Sequence, residues 1–417
     1  MTTPSFSRLG SANTYDTARS NLMSRQTALS NAQEHLTSGK RVSTASDDPT
    51  AAAQAERALT RISRIQTDQR ALDAQKSAIT QAESTLGDVN DALQNFRELV
   101  VSAGNGAYSA SERKSIAGQL SGLRDQVFAL ANRKDTNGQP LFGALASALT
   151  PFVGPQAAAP DYTFNGLPGQ TASSEIAIPF ALDGDSAFML QANRDGVYNV
   201  SVSTIPSTRT LTTDSVSVTS AAAVNGATYS VAITAVDTTT VPGTTSVSYN
   251  LTATPPGTVT AQTAPGYPST QAANIAVVGM AGLALNIKGT PAVGDTIKID
   301  PNPSIFSVLD DAIRDIGSAA NNNAATQAVS QALGNIDIGM GRISAVRGQA
   351  GDLLNRADRI SSNQDKRSIQ LESDRSRAED LDMVKGISDF QNQQTGYQAA
   401  LQSYAQVQKL SLFNYIG

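Results

Sequence analysis

"IQTDQRALDAQKSAITQAESTLGDVNDALQNFRELVVSA", residues 65–103, carries an apolar residue at every seventh position. Ile65, Leu72, Ile79, Leu86, Leu93 and Val100 form one series, and Ala82, Val89, Phe96 and Ala103 stand three residues after its later members. Such spacing puts one apolar stripe along an α-helix that pairs with another helix as a coiled coil. The helix has a natural start at Asp48, a good N-cap residue. Pro49 suits the first helical position, where its missing N–H has no partner to lose. From Pro49 to about Ala103 the helix would be roughly 80 Å long at about 1.5 Å per residue, which implies a rod.

The flanking sequence repeats the pattern. After "AGNGAYSASERKSI" (103–116), a glycine turn followed by a Ser109/Glu112 capping box, Ile116, Leu120, Leu123, Val127 and Leu130 mark a third helix that stops at "NRKDTNGQP" (132–140). Near the N-terminus, Leu22, Leu29 and Leu36 sit seven apart. At the other end Met383, Phe390, Tyr397 and Tyr404 do the same, with Ile387 and Leu401 four residues after the first and third of them. Gln394 and Gln408 interrupt that second position. A less regular stretch from Ile305 to about Leu381 adds more helix.

The middle is different. Residues 140–303 are rich in Thr, Ser, Val, Gly and Pro, and residues 238–287 contain no Asp, Glu, Lys or Arg. Alternation in "ATYSVAITAV" (227–236) and "TSVSYNLTAT" (245–254) predicts a β-hairpin, and "LALNIKG" (283–289) with "GDTIKID" (294–300) predicts a second strand pair. "TPPGTVTAQTAPGYPST" (254–270) fits a loop better than a strand. The fold class is therefore α+β, a long antiparallel helical bundle built from both flanks with an inserted β-rich domain. The expected parts are an N-terminal helix and loop (1–47), a long helix and helical hairpin (48–139), the β insert (140–303), returning helices (304–375) and a C-terminal helix (376–417).

Composition excludes several functions. The chain has 417 residues, no Cys and a net charge of −5, and residues 145–305 hold nine acidic against four basic side chains. Nothing is basic enough to indicate a nucleic-acid partner. Without Cys there is no disulfide frame, thiolate nucleophile or Cys-ligated zinc. The first residues lack the apolar core of a cleaved signal peptide, and the longest apolar stretch, Ile275–Leu285, is too short to cross a bilayer.

No chemistry-bearing constellation emerges, so no catalytic residue, cofactor or metal site is expected. A P-loop would need Gly five residues before Gly39-Lys40, and Glu34 stands there. His35, the only histidine, has no second metal ligand in the residues that follow it. Asp47 and Asp48 are adjacent carboxylates, but a helix-start role explains them better than acid–base chemistry. Asn250-Leu251-Thr252 matches a glycosylation triplet of a kind that arises often by chance. Two readings of Lys40 and Arg41 stay open: solvated loop charges, or contacts to acidic residues on a neighbouring subunit.

The two chain ends raise a further question. Terminal segments usually fray and favour polar residues, yet the last eight, "LSLFNYIG", include Leu410, Leu412, Phe413, Tyr415 and Ile416. Each large apolar side chain left in water forgoes roughly 1.5–3 kcal/mol relative to burial. Either these helices close one monomeric bundle, or neighbouring subunits cover them. The second reading makes Leu22, Leu29, Leu36, Lys40 and Arg41 an N-terminal assembly surface. It makes Ile387, Phe390, Tyr397, Leu401, Tyr404, Leu412 and Phe413 its C-terminal counterpart.

"LTSGKRVSTASDDPTAAAQA" (36–55), the run 103–144 and the terminal run 379–417 resemble the flagellin superfamily, and within it the hook-associated proteins that join hook to filament. The resemblance covers roughly residues 15–145 and 303–417; the middle matches only through "TFNG", "SEIAIP" and "IKGTPAVGDTIKID". Ser46-Asp47-Asp48-Pro49 and the ending "SLFNYIG" favour the junction branch over filament subunits, which are the alternative, whereas "MTTPSFSRLG" departs from the family's short "MRIST"-type start. The resemblance implies a non-enzymatic extracellular structural protein, exported through the flagellar type III apparatus. It further implies a ring of identical subunits between the first hook-associated protein and flagellin, and a cytosolic export chaperone that holds the C-terminal helix beforehand.

Overall fold

The computed structural model describes residues 11–145, 149–157, 160–204 and 210–416, without the side chains of 11–15 and 407–416. Among the described residues the helices are α1 Ser11–Ser38, α2 Pro49–Ala103, α3 Ala110–Ala131, α4 Gly184–Phe188, α5 Ala192–Asp195, α6 Ile305–Gly317, α7 Asn322–Glu379 and α8 Met383–Ile416. The chain divides into two compact units, Met1–Arg70 with Ser361–Gly417, and Ala71–Ile360. Neither boundary coincides with the five-part division expected from the sequence, because α2 and α7 run unbroken from one unit into the other.

In the unit Ala71–Ile360 the heptad series becomes the core. Leu72, Ile79, Leu86, Leu93 and Val100 are buried, as are Ala82, Val89, Phe96 and Ala103. They pack in one cluster with Ile336, Ile343 and Val346 of α7, Leu120 and Val127 of α3, and Phe306 and Leu309 of α6. Ion pairs Lys76–Asp358, Arg97–Asp337 and Arg347–Glu83 flank the seam and show that α2 and α7 run antiparallel. Their side chains are about half exposed, so solvent screens them and the apolar seam dominates. The Ser109/Glu112 capping box starts α3: the Ser109 N–H donates to the Glu112 carboxylate at 2.6 Å, and the Glu112 N–H to Ser109 Oγ at 3.4 Å.

Residues 141–197 belong with the helices, not with the β insert in which 140–303 was expected to lie. Phe142, Phe152, Tyr162 and Phe188 are buried in the helical cluster. Edge-to-face contacts of Phe152 and Phe128 with Phe306, at ring separations of 5.5 and 5.2 Å, lock them there. The Tyr162 hydroxyl donates to Asp310 at 2.6 Å and accepts from Arg124 at 2.7 Å. Burial, above all, pushes the pKa of Tyr162 and of Asp310 up.

A second core begins at Tyr198. The main sheet runs Tyr198–Ser203, Thr296–Pro301, Thr228–Asp237, Thr244–Thr254, Thr258–Thr263, each neighbour antiparallel. The hairpin 228–254 pairs Val231 with Leu251, and alternate residues Tyr229, Val231, Ile233, Val247, Tyr249 and Leu251 point inward.

Two sequence expectations are corrected here. Asn286–Gly289 and Thr296–Pro301 do not pair with each other: the first joins Ala273–Ala276 and Leu211–Thr213, the second joins the main sheet. Thr258–Thr263, expected to be loop, is an edge strand; its prolines sit just outside it, at 255, 256 and 265, where no ladder bond is lost.

The opposite edge, Tyr198–Ser203, lies against α7. The Gln331 amide, oriented to satisfy both partners, accepts from the Val200 N–H at 2.8 Å and donates to the Val200 carbonyl at 3.0 Å. Asn335 donates to the Tyr198 carbonyl at 3.0 Å, and Gln327 accepts from the Thr213 N–H at 2.9 Å. Gln331 and Asn335, four residues apart on one helix face, thus take the place of a further strand along this edge, while Gln327 holds the separate strand Leu211–Thr213.

Candidate assembly site

The unit holding both chain ends is built around two short linkers that pair with each other. After α1, Gly39 takes φ +68°, a left-handed helix cap that suits glycine. The chain then bridges Lys40 to Asp380 in the linker between α7 and α8. The Arg41 N–H donates to the Glu379 carbonyl at 2.7 Å, and the Leu381 N–H to the Gly39 carbonyl at 2.9 Å.

The basic pair caps α7 from outside. Arg41 donates to the Ala378 carbonyl at 2.8 Å and to Asp48 at 3.2 Å. Lys40 forms an ion pair with Glu379, which also meets Arg375 at 3.0 Å. The last carbonyls of a helix lack intrahelical donors and carry partial negative charge, so cations are favourable there. Both side chains thus have partners within the chain while staying nearly half exposed. No local pattern signalled this, because the partners stand more than 330 residues away.

The acidic pair orders the loop and starts α2. Asp47 accepts from the N–H groups of Thr44 and Ser43 at 2.8 and 3.0 Å, which holds its pKa down, the Thr44 amide most strongly. Asp48 accepts from Thr50 Oγ1 at 2.7 Å and from the Ala51 N–H at 3.1 Å. These bonds, with the Thr50 hydroxyl first, hold its pKa down to about 2. Pro49 is the first residue of α2. Beneath this joint lies a small cluster of Val42, Ala51, Ala55 and Ala378.

Helices α1 and α8 lie antiparallel. A Cβ on Gly386 would stand 2.7 Å from Leu381 and 3.3 Å from Leu36, and Gly396 lies against the Arg25 guanidinium. Leu22, Leu29 and Leu36 are half-buried, as are Phe390, Tyr397 and Tyr404. The other α8 positions face outward: Ile387 is 47 % exposed, Leu401 41 %, Met383 47 % and Val384 82 %. Leu412 and Phe413 lie outside the residues whose side chains are described. The pair therefore has a thin inner seam, and Met383, Val384 and Ile387 at the start of α8, with Leu401 further along, have little cover among the described residues.

Several residues here carry no recognisable sequence signal. Arg375 and Glu379 complete the charge cluster, and Gln364 of α7 is buried in the helix pair with no bond to its amide. His35 Nδ1 lies 2.9 Å from the Lys40 carbonyl, a structural contact. Among the described residues no group of three His, Cys, Asp or Glu could hold a metal ion, and no helix is long and apolar enough to cross a membrane. Asn250 of the glycosylation triplet sits inside a central strand.

Comparison with known proteins agrees with this architecture. The model of the bacterial flagellin N-terminal helical region matches residues 11–146, and that of the C-terminal helical region matches 333–416, together more than half of the chain. Flagellar hook-associated protein 3 of Salmonella typhimurium is 35 % identical over 147 residues, 35 % of this chain and 46 % of that protein. Its Escherichia coli counterpart is 38 % identical over 123 residues, 28 % of this chain and 38 % of that protein. The chain thus spans less than half the length of these two relatives. The crystal structure of the flagellar junction protein FlgL from Legionella pneumophila superimposes with a TM-score of 0.57 at 26 % identity, over 73 % of this chain and 98 % of that one. Matched by flagellin helical regions at both ends and folded with those ends paired, the chain belongs to the flagellin superfamily.

Proposed function

We propose that this chain is the structural subunit that joins hook to filament in the bacterial flagellum. The observation that carries the reading is the exposed apolar group Met383, Val384 and Ile387 at the start of α8, with Leu401 further along, beside a seam that α1 covers only partly. Such side chains gain stability against a further apolar surface. Copies of the same chain in a ring supply that cover, with the first hook-associated protein on one side and flagellin on the other. The similarity to hook-associated protein 3 and to the Legionella junction protein supports the position in the flagellum.

Before assembly the same side chains need protection, which a cytosolic chaperone of the flagellar export system provides. The role is non-enzymatic and needs no cofactor. The matched flagellin regions favour a second reading, a flagellin-like filament subunit. Deletion of the gene separates the two. Loss of a junction subunit leaves hooks in place and releases flagellin into the medium; deletion mutants that keep attached filaments of altered composition support the filament subunit instead.

A further inference from the structure

In the unit that holds both chain ends, the start of α2 and the end of α7 form a two-helix ribbon with a thin seam. From Leu59 to Arg70 of α2 and from Ser361 to Arg377 of α7, no apolar side chain is buried. Ile62, Ile65 and Leu371 are half-buried, and Gln364, the one buried residue of these stretches, has neither amide atom bonded. A pair built this way gains stability from cover on its flanks.

At about 100° per residue, the positions before and after each seam residue fall on opposite flanks of the ribbon. The preceding positions of both helices share one flank, where Arg57, Arg61, Asp374 and Arg377 line a single groove. That flank holds Arg57, Arg61, Arg64, Arg367 and Arg377 against Asp68 and Asp374. Arg377 pairs with Asp374 at 2.6 Å, and the remaining arginines are exposed.

The following positions carry Leu59, Gln66 and Arg70 on α2 and Asp365, Ile369, Glu372 and Glu379 on α7. Lys40 and Arg375 take up Glu379, and Arg375 also meets Glu372, which stays 53 % exposed. Asp365 accepts from the Gln69 amide. The second flank thus sets two incompletely neutralised carboxylates on either side of Ile369, itself 70 % exposed. The flanks also match in height. Counted from the Gln69–Asp365 contact across the antiparallel pair, Arg61 stands within about 3 Å of the level of Glu372, and Arg367 within about 3 Å of Asp365, at about 1.5 Å per residue.

We propose that the arginine flank of one copy docks on the acidic and apolar flank of the next copy in the ring, Arg61 against Glu372 and Arg367 against Asp365, with Ile369 covered between them. A second copy is the occupant because each flank supplies, at the same height, the charge that the other lacks. The contact joins two different surfaces, so every copy uses both and points the same way, the arrangement that closes a ring. It rests on the ring reading above and adds the surfaces that meet.

The chain has no Cys, so Gln66→Cys with Gln370→Cys places one thiol on each flank at matching height. A disulfide between them joins two chains, since within one chain they lie on opposite flanks. Mild oxidation of isolated flagella is expected to turn the double variant into a ladder of covalent oligomers, whereas either single variant stays monomeric. Arg61→Glu with Arg367→Glu, both at exposed positions, should keep the wild-type melting profile and export yet lower the number of attached filaments several-fold. Adding Asp365→Arg and Glu372→Arg should restore them. Flagella that keep their filaments but yield only monomers from the double-cysteine variant overturn the contact and leave the ring reading standing, as does charge reversal without effect on filament retention. Absence of the chain from isolated flagella would overturn the ring reading and the contact with it.

Discussion

Arg41 and Ala378 stand 337 positions apart, and the Arg41 guanidinium donates to the Ala378 carbonyl at 2.8 Å. The same side chain reaches Asp48, the residue that caps α2. One arginine therefore ties the end of α7 to the start of α2, and Lys40 adds an ion pair to Glu379 beside it. The joint sets where α1 and α8 leave the longer helices and so registers the chain ends that carry the apolar stripes.

Arg41→Ala leaves the Ala378 carbonyl without its donor and is expected to destabilise the joint by about 1 kcal/mol, the usual contribution of one such bond. Amide hydrogen exchange at Arg41, Val42 and Leu381 should quicken together, since all three N–H groups bond across the paired linkers. Lys40→Glu should weaken the joint in the same way, because it sets a like charge against Glu379. A Lys40→Glu protein as well protected at these amides as wild type would show that the ion pair has no part in the joint.

Asp48 titrates with a pKa of about 2, below the ordinary carboxylate value of about 3.9. A depressed pKa means that the carboxylate form favours the folded state. Its stabilisation is complete above the unfolded value and is lost as pH falls through the folded one. Exchange of the Ala51 amide at the start of α2 should therefore accelerate, relative to mid-helix amides, as pH drops from about 4 toward 2. Asp48→Asn, which caps without ionising, should abolish that pH dependence while keeping most of the protection at neutral pH.

How much of this was legible depends on where each partner lies. Asp48, Pro49 and the Ser109/Glu112 box act on groups within three residues, so local pattern sufficed. Leu72 to Val100 repeat often enough for their period to identify a buried helix face. Lys40 and Arg41 look like solvated charges because Glu379 and Ala378 lie at the far end of the chain. Thr296–Pro301 alternates as a strand should, but alternation says nothing about which sheet takes it, and the hairpin expected with Asn286–Gly289 did not form. Gln327, Gln331 and Asn335 are the hardest case: amides on a helix resemble a wet surface, and only the strand edge against them shows otherwise.

That amide ladder makes a stability prediction. Gln331→Leu removes both partners of the Val200 peptide group in a buried setting and should cost about 2 kcal/mol or more, because an unsatisfied buried donor or acceptor costs about 1–3 kcal/mol. Asn335→Leu removes one bond and should cost less. Denaturant melts of the two single variants and the double variant would measure their coupling. A Gln331→Leu protein as stable as wild type would mean that the edge strand is held by its apolar contacts alone.

Folding and assembly should respond to different residues. Phe96 is buried in the core cluster, and Phe96→Ala is expected to destabilise the chain by about 3–5 kcal/mol, as large-to-small changes in packed cores do. Ile387 and Leu401 are 47 % and 41 % exposed. Replacing both with Ser should leave the melt of the purified chain within about 0.5 kcal/mol of wild type, as surface changes usually do. Under the proposed role the same double variant should be exported yet fail to retain filaments, because it removes side chains that neighbouring subunits would cover. Loss of motility accompanied by a large fall in melting temperature would place Ile387 and Leu401 in the fold of the single chain. Unchanged motility would remove them from the assembly surface altogether.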